Sequence, residues 1–562
     1  MSSKTILAGG AIPARLARLG IDWIFVNSGT DFPPIIEGMA QAKAASVPLP
    51  STVTVPHEHA AMGMAHGYWL ISGRAQAVML HTNVGLANGA TGAINAACEH
   101  VPMFVMSGRT PVTESHRFGA RTVPIAWGQE MADQAALIRE AVKWEYELRF
   151  PEQVSVVIDR GLALSESTPK GPVYLSLPRE VLCEDVSIDD VLAPPTATPA
   201  RMGPDQHAIR QAAEMLAGAR NPLVIAQRGA GDEGSFAVFA DWVQLWGIAV
   251  SSWWATHLAI ATDHPCHVGA DPGEALAKAD VVLVIDSLAP WWPDKHKMLD
   301  DAKVIQMGPD PLFRRFPMRG FPADLAIAGE NRDTIPALIA AMDEIGEGNK
   351  ARTGELAASN AKRQKAERIR IAASLADCLN KENVAHVLSE VLEGHKSSVF
   401  SELGVPLGPL ARREPKSWFQ EPHSGGLGWC FPAALGAQLA EPDRLCVATM
   451  GDGSYMFANP TACHLIAAAM KLPVLIMVLN NREWGAVRQS VVQMYPDGAA
   501  AKLNEIPLTS LKPTPDLCAI AGANGAFTIN ATNESQLRQA LKQAIGVCIN
   551  ERRSAFVEVA VA

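Results

Sequence analysis

Two short polar motifs in the last third of the chain, GDGS and NN, carry residue types that can bind a cation together with a phosphate. Asp452 lies in the first motif and Asn481 in the second. The apolar run LCVATM precedes GDGS and VLIMVL precedes NN, so each motif follows a predicted buried strand. Between them, TACHLIAAAMK predicts a helix, with Asn459 as its N-cap and Pro460 as its first residue. The pattern predicts a βαβ unit, whose two strands run parallel as neighbours.

Asp452 and Asn481 therefore both follow the carboxyl ends of neighbouring strands. Open α/β sheets bind their ligands at that edge. A carboxylate and an amide oxygen suit Mg²⁺ that also holds phosphate oxygens. The N–H groups of a glycine turn around Gly453 can cradle the phosphate itself. Either motif alone is an ordinary turn or loop, and the pair in a βαβ unit carries the prediction of a magnesium–phosphate site.

A second polar stretch, VPHEHAAMGMAHGYW, sets Glu58 between His57 and His59, with His66 further on. STVTVP predicts a strand and AAMGMAHGYWLIS a helix ended by Gly73, so Glu58 lies at a strand-to-helix junction. A metal site is the alternative interpretation. In a strand His57 and His59 would share a side, and in a helix they would lie about 200° apart. Neither geometry gives the zinc-binding H-x-x-x-H pair, so we expect packed or surface histidines.

The bulk composition excludes several classes of protein. The chain has 562 residues, of which 48% are hydrophobic, and a net charge of −10, so we expect no nucleic-acid partner. We predict no signal peptide from the first residues and no membrane span. Nine dispersed cysteines form no C-x-x-C pair, which predicts reduced thiols in a cytoplasmic protein.

Three α/β units of similar size follow one another along the chain. Apolar runs such as AQAVMLHT, PLVIAQ and VLIMVL alternate with helical patterns in each unit. A Pro-rich polar segment from Asp189 to Asp205 predicts a linker, and a charged stretch ending near residue 365 predicts the second boundary. The fold class is therefore α/β, with three doubly wound domains over residues 1–188, 189–365 and 366–562, each with a mostly parallel sheet.

The GDG and NN motifs, with the three-domain organisation, resemble the thiamine-diphosphate-dependent 2-keto acid decarboxylase and carboligase family over essentially the whole chain. The resemblance implies a pyrimidine-binding domain, a central domain and a diphosphate-binding domain, in that order. It also implies thiamine diphosphate and Mg²⁺ as cofactors. Asp452 and Asn481 match the metal's side-chain ligands, and Glu483 matches the residue that gives a main-chain carbonyl. Further cofactor contacts are implied for Gly453, Ser454 and Trp484.

Two further segments resemble parts of the family's cofactor site. SGGLGWCFPAALGA is similar to the family's GxMGxxLPAAIGA segment, which implies that Leu427 props the cofactor in a bent shape. Gly425 falls where a carbonyl accepts a hydrogen bond from the cofactor's 4′-amino group. SELGVPLG lacks the Gln-His pair that often contacts the cofactor's diphosphate in this family. We therefore expect backbone groups of Gly404 and Val405 to contact the diphosphate instead.

HEHAAMGMAHGYW is similar to the family's RHEqaAahmAeGYAR segment, in which the glutamate activates the cofactor. The resemblance implies that the carboxylate of Glu58 bonds N1′ of the aminopyrimidine and controls its protonation. Such a role needs a carboxyl group in a dry site, where one hydrogen bond shifts a proton balance strongly.

The substrate side of the site resembles benzoylformate decarboxylase. MLHTNVGLANGATGAINAA matches a segment that carries an active-site histidine, which implies a proton-transfer role for His81. FVNSGTDFPPI matches a segment in which Thr30 corresponds to a carboxylate-binding serine, and Asp31 follows close to an aspartate of pyruvate decarboxylase. WGQEMADQ is similar to a segment of acetolactate synthase, which implies that Gln129 is an active-site glutamine.

NNREWGAVR resembles the benzoylformate decarboxylase segment NNGTYGALR, which implies that Ala486 and Val487 line the substrate pocket. A bulky or aromatic substrate is expected from the small Ala486 and from the nearby tryptophans Trp484, Trp291 and Trp292. The second active-site histidine of that enzyme has no match, since Trp291, Trp292 and Pro293 fill the region and His296 is displaced. The FAD-contacting arginine of acetolactate synthase is also missing, so we expect no FAD.

These features predict an enzyme that removes CO₂ from a small-molecule 2-keto acid without oxidation, with carboligation as a further activity. The alternatives are an acetolactate-synthase-like carboligase, an acyloin or diketone lyase, and a catalytically silent thiamine-diphosphate-binding protein. An NAD-linked oxidoreductase would need a G-x-G-x-x-G turn with an acidic residue about 20 positions on, which we do not find in context. The family resemblance also implies a homo-oligomer, at least a dimer with shared active sites and most simply a tetramer.

Overall fold

The computed structural model describes residues 5–374 and 379–562. It contains three six-stranded sheets in which every pair of neighbours is parallel, and one antiparallel pair, Thr5–Leu7 with Asp185–Ser187. The α/β class with three parallel sheets, predicted from the sequence, is confirmed. The eight described cysteines are thiols, and Cys378 lies outside the described residues. No helix of the described ranges is both long and apolar enough to cross a membrane.

One compact unit comprises residues 1–202 and 422–441. Its sheet has, in spatial order, the strands Ser51–Thr54, Trp23–Val26, Gln76–Leu80, Met103–Arg109, Pro172–Pro178 and Glu145–Glu147. Its α-helices are Ala8–Arg18, Pro33–Ala44, Glu58–Ser72, Thr82–Cys98, Ile125–Gly128, Val154–Glu166, Arg179–Leu182, Ile188–Leu192 and Cys430–Ala440. Short 3₁₀ turns cover Gln134–Leu137, Arg139–Ala141 and Pro151–Gln153.

The other unit comprises residues 203–421 and 442–562 and holds two sheets. The first has the strand order His267–Gly269, Ala249–Ser251, Pro222–Ala226, Val281–Ile285, Lys303–Gly308 and Leu325–Ala328. The helices around it are Gln206–Gly218, Glu233–Trp246, Gly273–Leu276, Asn331–Asp343 and Lys350–Ser374. The indole N–H of Trp418, in the next sheet, donates to the carbonyl of Ala255 at 3.0 Å and so links the two layers.

The last sheet has the strand order Trp418–Gln420, Ser397–Glu402, Leu445–Gly451, Leu475–Asn480, Ala555–Ala560 and Phe527–Ala531. Its helices are Lys381–Val391, Asp452–Phe457, Pro460–Ala469, Gly485–Met494, Leu517–Gly522 and Glu534–Gly546, with a 3₁₀ turn at Ala500–Lys502 and a π-helical turn at Val547–Glu551. Leu445–Gly451 and Leu475–Asn480 are parallel neighbours. The βαβ unit predicted from the GDG and NN motifs is therefore present.

The central strands are apolar because helices cover both faces of each sheet. Every residue of Gln76–Leu80, Val281–Ile285 and Leu475–Asn480 is buried. A strand buried on both faces has no alternation of polar and apolar residues, so it appears in the sequence as a continuous apolar run. This is why these strands could be predicted from one sequence alone.

Two helices of the first unit, Glu58–Ser72 and Cys430–Ala440, cross at glycines. A Cβ added at Gly67 would lie 1.8 Å from the carbonyl oxygen of Ala433, and one at Gly436 would lie 1.9 Å from that of Met64. Only glycine permits backbones to approach this closely. The crossing holds the N-terminus of the first helix, where Glu58 lies, in the same unit as the Gly425–Leu427 segment.

Some local details differ from the sequence-based expectation. GDGS does not form a simple turn, because Asp452 is the first residue of the helix Asp452–Phe457 and Gly451 is its extended N-cap. Asn459 occupies the N-cap position before Pro460, but it has φ +53° and its side chain makes no capping hydrogen bond. The predicted boundary at residue 365 lies inside the helix Lys350–Ser374, and the three domain ranges stay a prediction.

Candidate active site

Glu58 is the first residue of the helix Glu58–Ser72 and is 8% exposed. His57 caps that helix, since its Nδ1 accepts from the backbone N–H of His59 at 3.3 Å. Burial lowers the pKa of His59 to about 4, with the nearby His57 acting in the same direction, so His59 is neutral. The ring of His66 packs edge-on against Trp429 at 5.5 Å. These contacts of His57 and His66 are thus capping and packing contacts, and neither of them involves the carboxylate of Glu58.

A polar side chain that the sequence analysis missed contacts Glu58. Nδ2 of Asn88 donates to Oε2 of Glu58 at 3.1 Å. His81, Asn88 and Asn95 follow one another at seven-residue spacing at the start of and along the helix Thr82–Cys98. Seven residues are nearly two helical turns, so the three side chains share one face. That spacing in a Gly- and Ala-rich helix is the signal that could have found Asn88 and Asn95.

His81, Asp31 and Gln129 come together in the same unit as Glu58. Nδ1 of His81 lies 2.5 Å from Oδ1 of Asp31, and Nε2 of Gln129 lies 3.3 Å from Nε2 of His81. The hydrogen bond to Asp31 raises the pKa of His81, burial partly opposes it, and the charge of Glu58 adds to the increase. With Nδ1–H directed at Asp31, Nε2 of His81 is the atom that can take up or release a proton.

Two glycines provide the space for this pair. A Cβ at Gly29 would lie 2.1 Å from Nδ1 of His81, and a Cβ at Gly108 would lie 1.5 Å from Oδ2 of Asp31. Asp31 is 4% exposed, and its Oδ2 is buried without a hydrogen-bond partner among the described residues. A buried carboxylate oxygen left without a donor is costly, and the local packing is what holds it there.

Thr30, beside Asp31, is exposed. Nη1 of Arg179 donates to its carbonyl oxygen at 3.5 Å, and Nε of Arg179 donates to the carbonyl of Gly119 at 2.7 Å. Arg179 therefore fixes the loop that leads to Gln129 against the strand end that carries Thr30. No local sequence pattern predicted this residue, because its partners lie about 60 and 150 positions away.

The segment that carries Gly425 and Leu427 is anchored by Asn95. Nδ2 of Asn95 donates to the carbonyl of Gly426 at 2.9 Å, and its Oδ1 accepts from the hydroxyl of Ser424 at 2.6 Å. Gly425 is exposed with φ +69°, and Leu427 is half-buried. The carbonyl and side chain that the family resemblance assigns to the cofactor are thus held on a fixed backbone within this unit.

The remaining predicted residues lie in the other unit. Asp452 is 3% exposed, its carboxylate is bonded by the backbone N–H groups of Gly453 and Arg482, and burial raises its pKa. Its Oδ2 is buried and accepts no hydrogen bond from residues 5–374 or 379–562. A desolvated carboxylate oxygen with no donor is what a hard divalent cation binds. The site therefore fits Mg²⁺ at Asp452.

Asn481 and Glu483 lie on the loop whose residue Arg482 donates its backbone N–H to the carboxylate of Asp452. Oδ1 of Asn481 accepts from the N–H of Glu483 at 3.2 Å, and the carbonyl of Glu483 accepts from the N–H of Gly485 at 2.9 Å. The Glu483 carboxylate does not join the set, since it forms an ion pair with Arg488 at 2.7 Å. A carbonyl oxygen has a second lone pair, so that of Glu483 stays a possible ligand.

Gly453 and Trp484 fit closely together. A Cβ at Gly453 would lie 2.2 Å from the ring of Trp484, whose other side meets Phe457 edge-on at 5.8 Å. Ser454 is 3% exposed in the first turn of the short helix Asp452–Phe457. Trp484 thus forms a wall against the glycine turn that the sequence assigns to the diphosphate.

Gly404 and Val405 follow the strand Ser397–Glu402. A Cβ at Gly404 would lie 2.4 Å from the backbone of Thr449, and the N–H of Val405 is 3.4 Å from the hydroxyl of Thr449. Both residues are buried. The loop therefore lies tightly against the neighbouring strand and presents no polar side chain at these two positions.

The residues predicted to line the substrate pocket differ in their exposure to solvent. Ala486 is exposed and Val487 is 47% exposed, both at the start of the helix Gly485–Met494. Trp292 is 49% exposed, whereas Trp291 is buried and packs edge-on against Phe321 at 5.3 Å. His296 is buried beside Asp271, with 3.2 Å between Nε2 and Oδ1.

Three models of one enzyme family match the sequence and together cover more than half of it. They are the N-terminal TPP-binding domain of thiamine pyrophosphate enzymes at residues 8–137, their central domain at 209–338 and their C-terminal TPP-binding domain at 407–559. A probable 2-ketoarginine decarboxylase of Pseudomonas aeruginosa is 28% identical, with 97% of this chain and 92% of the relative aligned. The benzoylformate decarboxylase of the same species is 26% identical, over 94% of this chain and 95% of the relative.

The fold is also shared with solved structures. The thiamine-diphosphate-dependent 4-hydroxybenzoylformate decarboxylase of Rhodococcus jostii RHA1 superposes with a TM-score of 0.79 at 21% identity, over 99% of both chains. The benzoylformate decarboxylase of Polynucleobacter necessarius gives 0.78 at 20% identity, also over 99% of both chains. At these identities the likeness concerns the fold alone.

Proposed function

We propose a role for each residue of the site from one premise, which is that the chain belongs to the family of thiamine-diphosphate-dependent enzymes. It is an enzyme of the group that decarboxylates 2-keto acids or joins carbonyl compounds. We infer that its principal reaction is the non-oxidative decarboxylation of a 2-keto acid. The observation that carries this inference is the buried Glu58 in one unit with His81, whose pKa is raised by its hydrogen bond to Asp31.

Thiamine diphosphate, when bound, supplies a nucleophilic carbon that attacks the 2-keto group and accepts the electron pair left by CO₂. Glu58 holds or releases a proton at N1′ of the aminopyrimidine. Its burial keeps water from competing for that proton, and Asn88 fixes its second oxygen at 3.1 Å. Leu427 and the carbonyl of Gly425 orient the cofactor, and Asn95 holds their backbone.

His81 donates the proton that replaces the lost CO₂. Asp31 fixes the ring through Nδ1 and favours its protonated form, so Nε2 is the nitrogen that gives up the proton. Thr30, exposed beside Asp31, offers its hydroxyl and N–H to the substrate carboxylate. Ala486 and Val487 leave room for a bulky or aromatic substituent.

Asp452, Asn481 and the carbonyl of Glu483 would hold Mg²⁺. The unpartnered, buried Oδ2 of Asp452 supports this assignment. We assign the binding of the diphosphate to backbone N–H groups of Gly404, Val405, Gly453 and Ser454, with Trp484, which packs against Gly453, as a wall of the site. The missing match to the FAD-contacting arginine supports an enzyme without FAD.

The free, dispersed cysteines support a cytoplasmic enzyme. The family resemblance supports a homo-oligomer, a dimer or a tetramer, in which Glu58 of one copy and Asp452 of another serve the same cofactor. Subunit complementation tests this. Glu58→Gln and Asp452→Ala enzymes, each inactive, are unfolded together, refolded as a mixture and assayed. If the sites are shared, a mixed oligomer contains one site with the intact Glu58 of the Asp452→Ala copy and the intact Asp452 of the Glu58→Gln copy. Activity then returns. If the mixture stays as inactive as either variant, the shared-site proposal is wrong.

The reaction itself is tested with a panel of 2-keto acids. The enzyme with thiamine diphosphate and Mg²⁺ is given each acid, and CO₂ and the carbonyl product are both measured. We expect CO₂ and the matching aldehyde in equal amounts for at least one bulky acid. No turnover on any acid, with the cofactor shown to be bound, contradicts the decarboxylase assignment.

Carboligation is the second candidate, and the position of Gln129 favours it. Gln129 matches an active-site glutamine of acetolactate synthase and lies 3.3 Å from Nε2 of His81. The amide of a glutamine at this position can hydrogen-bond to a second carbonyl substrate. That substrate, rather than a proton, then reacts with the decarboxylated donor. A product larger than the donor acid, formed at the expense of aldehyde, identifies this activity in the same panel.

A further inference from the structure

Lys381 lies beside the loop that the sequence assigns to the cofactor's diphosphate. It is the first residue of the helix Lys381–Val391, and its Nζ donates to the carbonyl of Leu403 at 2.5 Å. Leu403 directly precedes Gly404. The helix start is fixed by a capping box, in which the Asn380 side chain accepts from the N–H of Asn383 and the Asn383 side chain accepts from that of Asn380. The root of the lysine side chain is therefore held in place.

Two carboxylates, those of Glu421 and Asp452, act electrostatically on the ammonium group of Lys381. Lys381 is exposed as a whole residue, but the protein atoms around its ammonium lower the pKa, against the charges of Glu421 and Asp452. Burial raises the pKa of Glu421 to about 7, and the neighbouring charge of Glu402 adds to that increase. The charge of Asp452 would repel an anionic ligand at this edge, and Lys381 supplies a positive charge that offsets it.

The loop offers a phosphate no polar side chain at positions 404 and 405. Position 404 has no room for a side chain, because a Cβ there would lie 2.4 Å from the backbone of Thr449. Val405 is apolar and buried, and its N–H already faces the hydroxyl of Thr449 at 3.4 Å. The side-chain donors that the family often places here are missing from this sequence. A side-chain donor to the diphosphate must therefore come from another element.

We propose that Lys381 binds the cofactor's diphosphate and takes over the role of the missing side-chain donors at positions 404 and 405. This rests on the proposed function. The Leu403 carbonyl holds one N–H of the ammonium at the loop, and an ammonium has two more to give to phosphate oxygens. Asp452, whose charge acts on Lys381, would hold Mg²⁺, so the lysine and the metal would serve the same diphosphate.

Cofactor affinity tests the proposal without reference to turnover. Binding of thiamine diphosphate and of unphosphorylated thiamine, with Mg²⁺ present, is measured by isothermal titration for wild type, Lys381→Gln and Lys381→Ala. The glutamine variant keeps an amide that can still donate to Leu403 while the charge is gone. The control is Lys542→Ala, at an exposed lysine on the helix Glu534–Gly546. Thermal unfolding of the apo proteins monitors the fold.

We expect both Lys381 variants to bind thiamine diphosphate about tenfold more weakly or worse, because they lose a charge-assisted hydrogen bond. Thiamine affinity, apo stability and the Lys542 control should not change. Diphosphate affinity within about twofold of wild type would overturn the proposal. So would an equal loss for thiamine and thiamine diphosphate, which indicates support of the loop only. If the wild type binds no thiamine diphosphate, the proposed function fails instead.

Discussion

Substitution of Gly108 by alanine should separate His81 from Asp31. The new Cβ would lie 1.5 Å from Oδ2 of Asp31, whereas carbon and oxygen atoms in contact are about 3.5 Å apart. The carboxylate must therefore move by about 2 Å. This movement breaks the 2.5 Å hydrogen bond between Oδ1 of Asp31 and Nδ1 of His81. Overpacking and the lost charge-assisted hydrogen bond together should destabilise the fold by about 2–4 kcal/mol. Decarboxylation should fall with it, because His81 loses its orienting partner.

A double-mutant cycle shows whether Asp31 is the group that clashes. In an Asp31→Ala background the two nearest atoms to the new methyl group, Oδ2 and Cγ of residue 31, are gone, and the Cβ of residue 31 at 3.1 Å remains. Gly108→Ala should therefore cost much less stability there than in the wild type. Gly128→Ala is the matched control, since a Cβ at Gly128 meets nothing within 4 Å. Thermal unfolding of the set gives the result, and an equal cost in both backgrounds would refute the reasoning.

Two other predictions concern the His81–Asp31 hydrogen bond and the contact between Gly453 and Trp484. Asp31→Asn should lower the pKa of His81, measured by NMR titration of its ring, because the hydrogen bond to Asp31 is the main cause that raises it. The stability that this pair contributes is fully present below about pH 6.5 and is lost as the pH rises through the raised pKa of His81. The difference in melting temperature between wild type and Asp31→Asn should shrink over that range, and a constant difference would contradict the pairing. Gly453→Ala should displace the Trp484 ring, which lies 2.2 Å from the new Cβ, and change the tryptophan fluorescence. An unchanged spectrum and cofactor affinity would show that Trp484 does not form a wall of the site.

The elements that carry the site were predictable where a local pattern and a general rule of sheet architecture agree. The runs LCVATM and VLIMVL are apolar because both faces of their strands are buried. Ligands bind at the carboxyl edge of such sheets, so Asp452 and Asn481 could be placed together from the sequence. Glu58 could be placed at a helix start for a similar reason, since a strand pattern ends and a helix pattern begins there.

The positioning residues could not be predicted because their contacts join distant parts of the chain. Arg179 meets Gly119 and Thr30, and Lys381 meets Leu403, with no periodicity that links either set. The helix at Asp452 was also missed, because a Gly-Asp-Gly sequence favours a turn locally and only the tertiary contacts favour a helix. Asn88 is the intermediate case, since its spacing from His81 indicated a shared face but not the contact with Glu58.

Hydrogen exchange at the thiazolium C2 carbon tests the role of Glu58 most directly. Wild type and Glu58→Gln are saturated with thiamine diphosphate and Mg²⁺, transferred to D₂O and quenched at short times, and the residual C2 proton is measured by NMR. We predict that Glu58→Gln binds the cofactor with nearly unchanged affinity but exchanges C2–H about 100-fold or more slowly. Exchange at the wild-type rate in a cofactor-saturated Glu58→Gln enzyme would contradict that role.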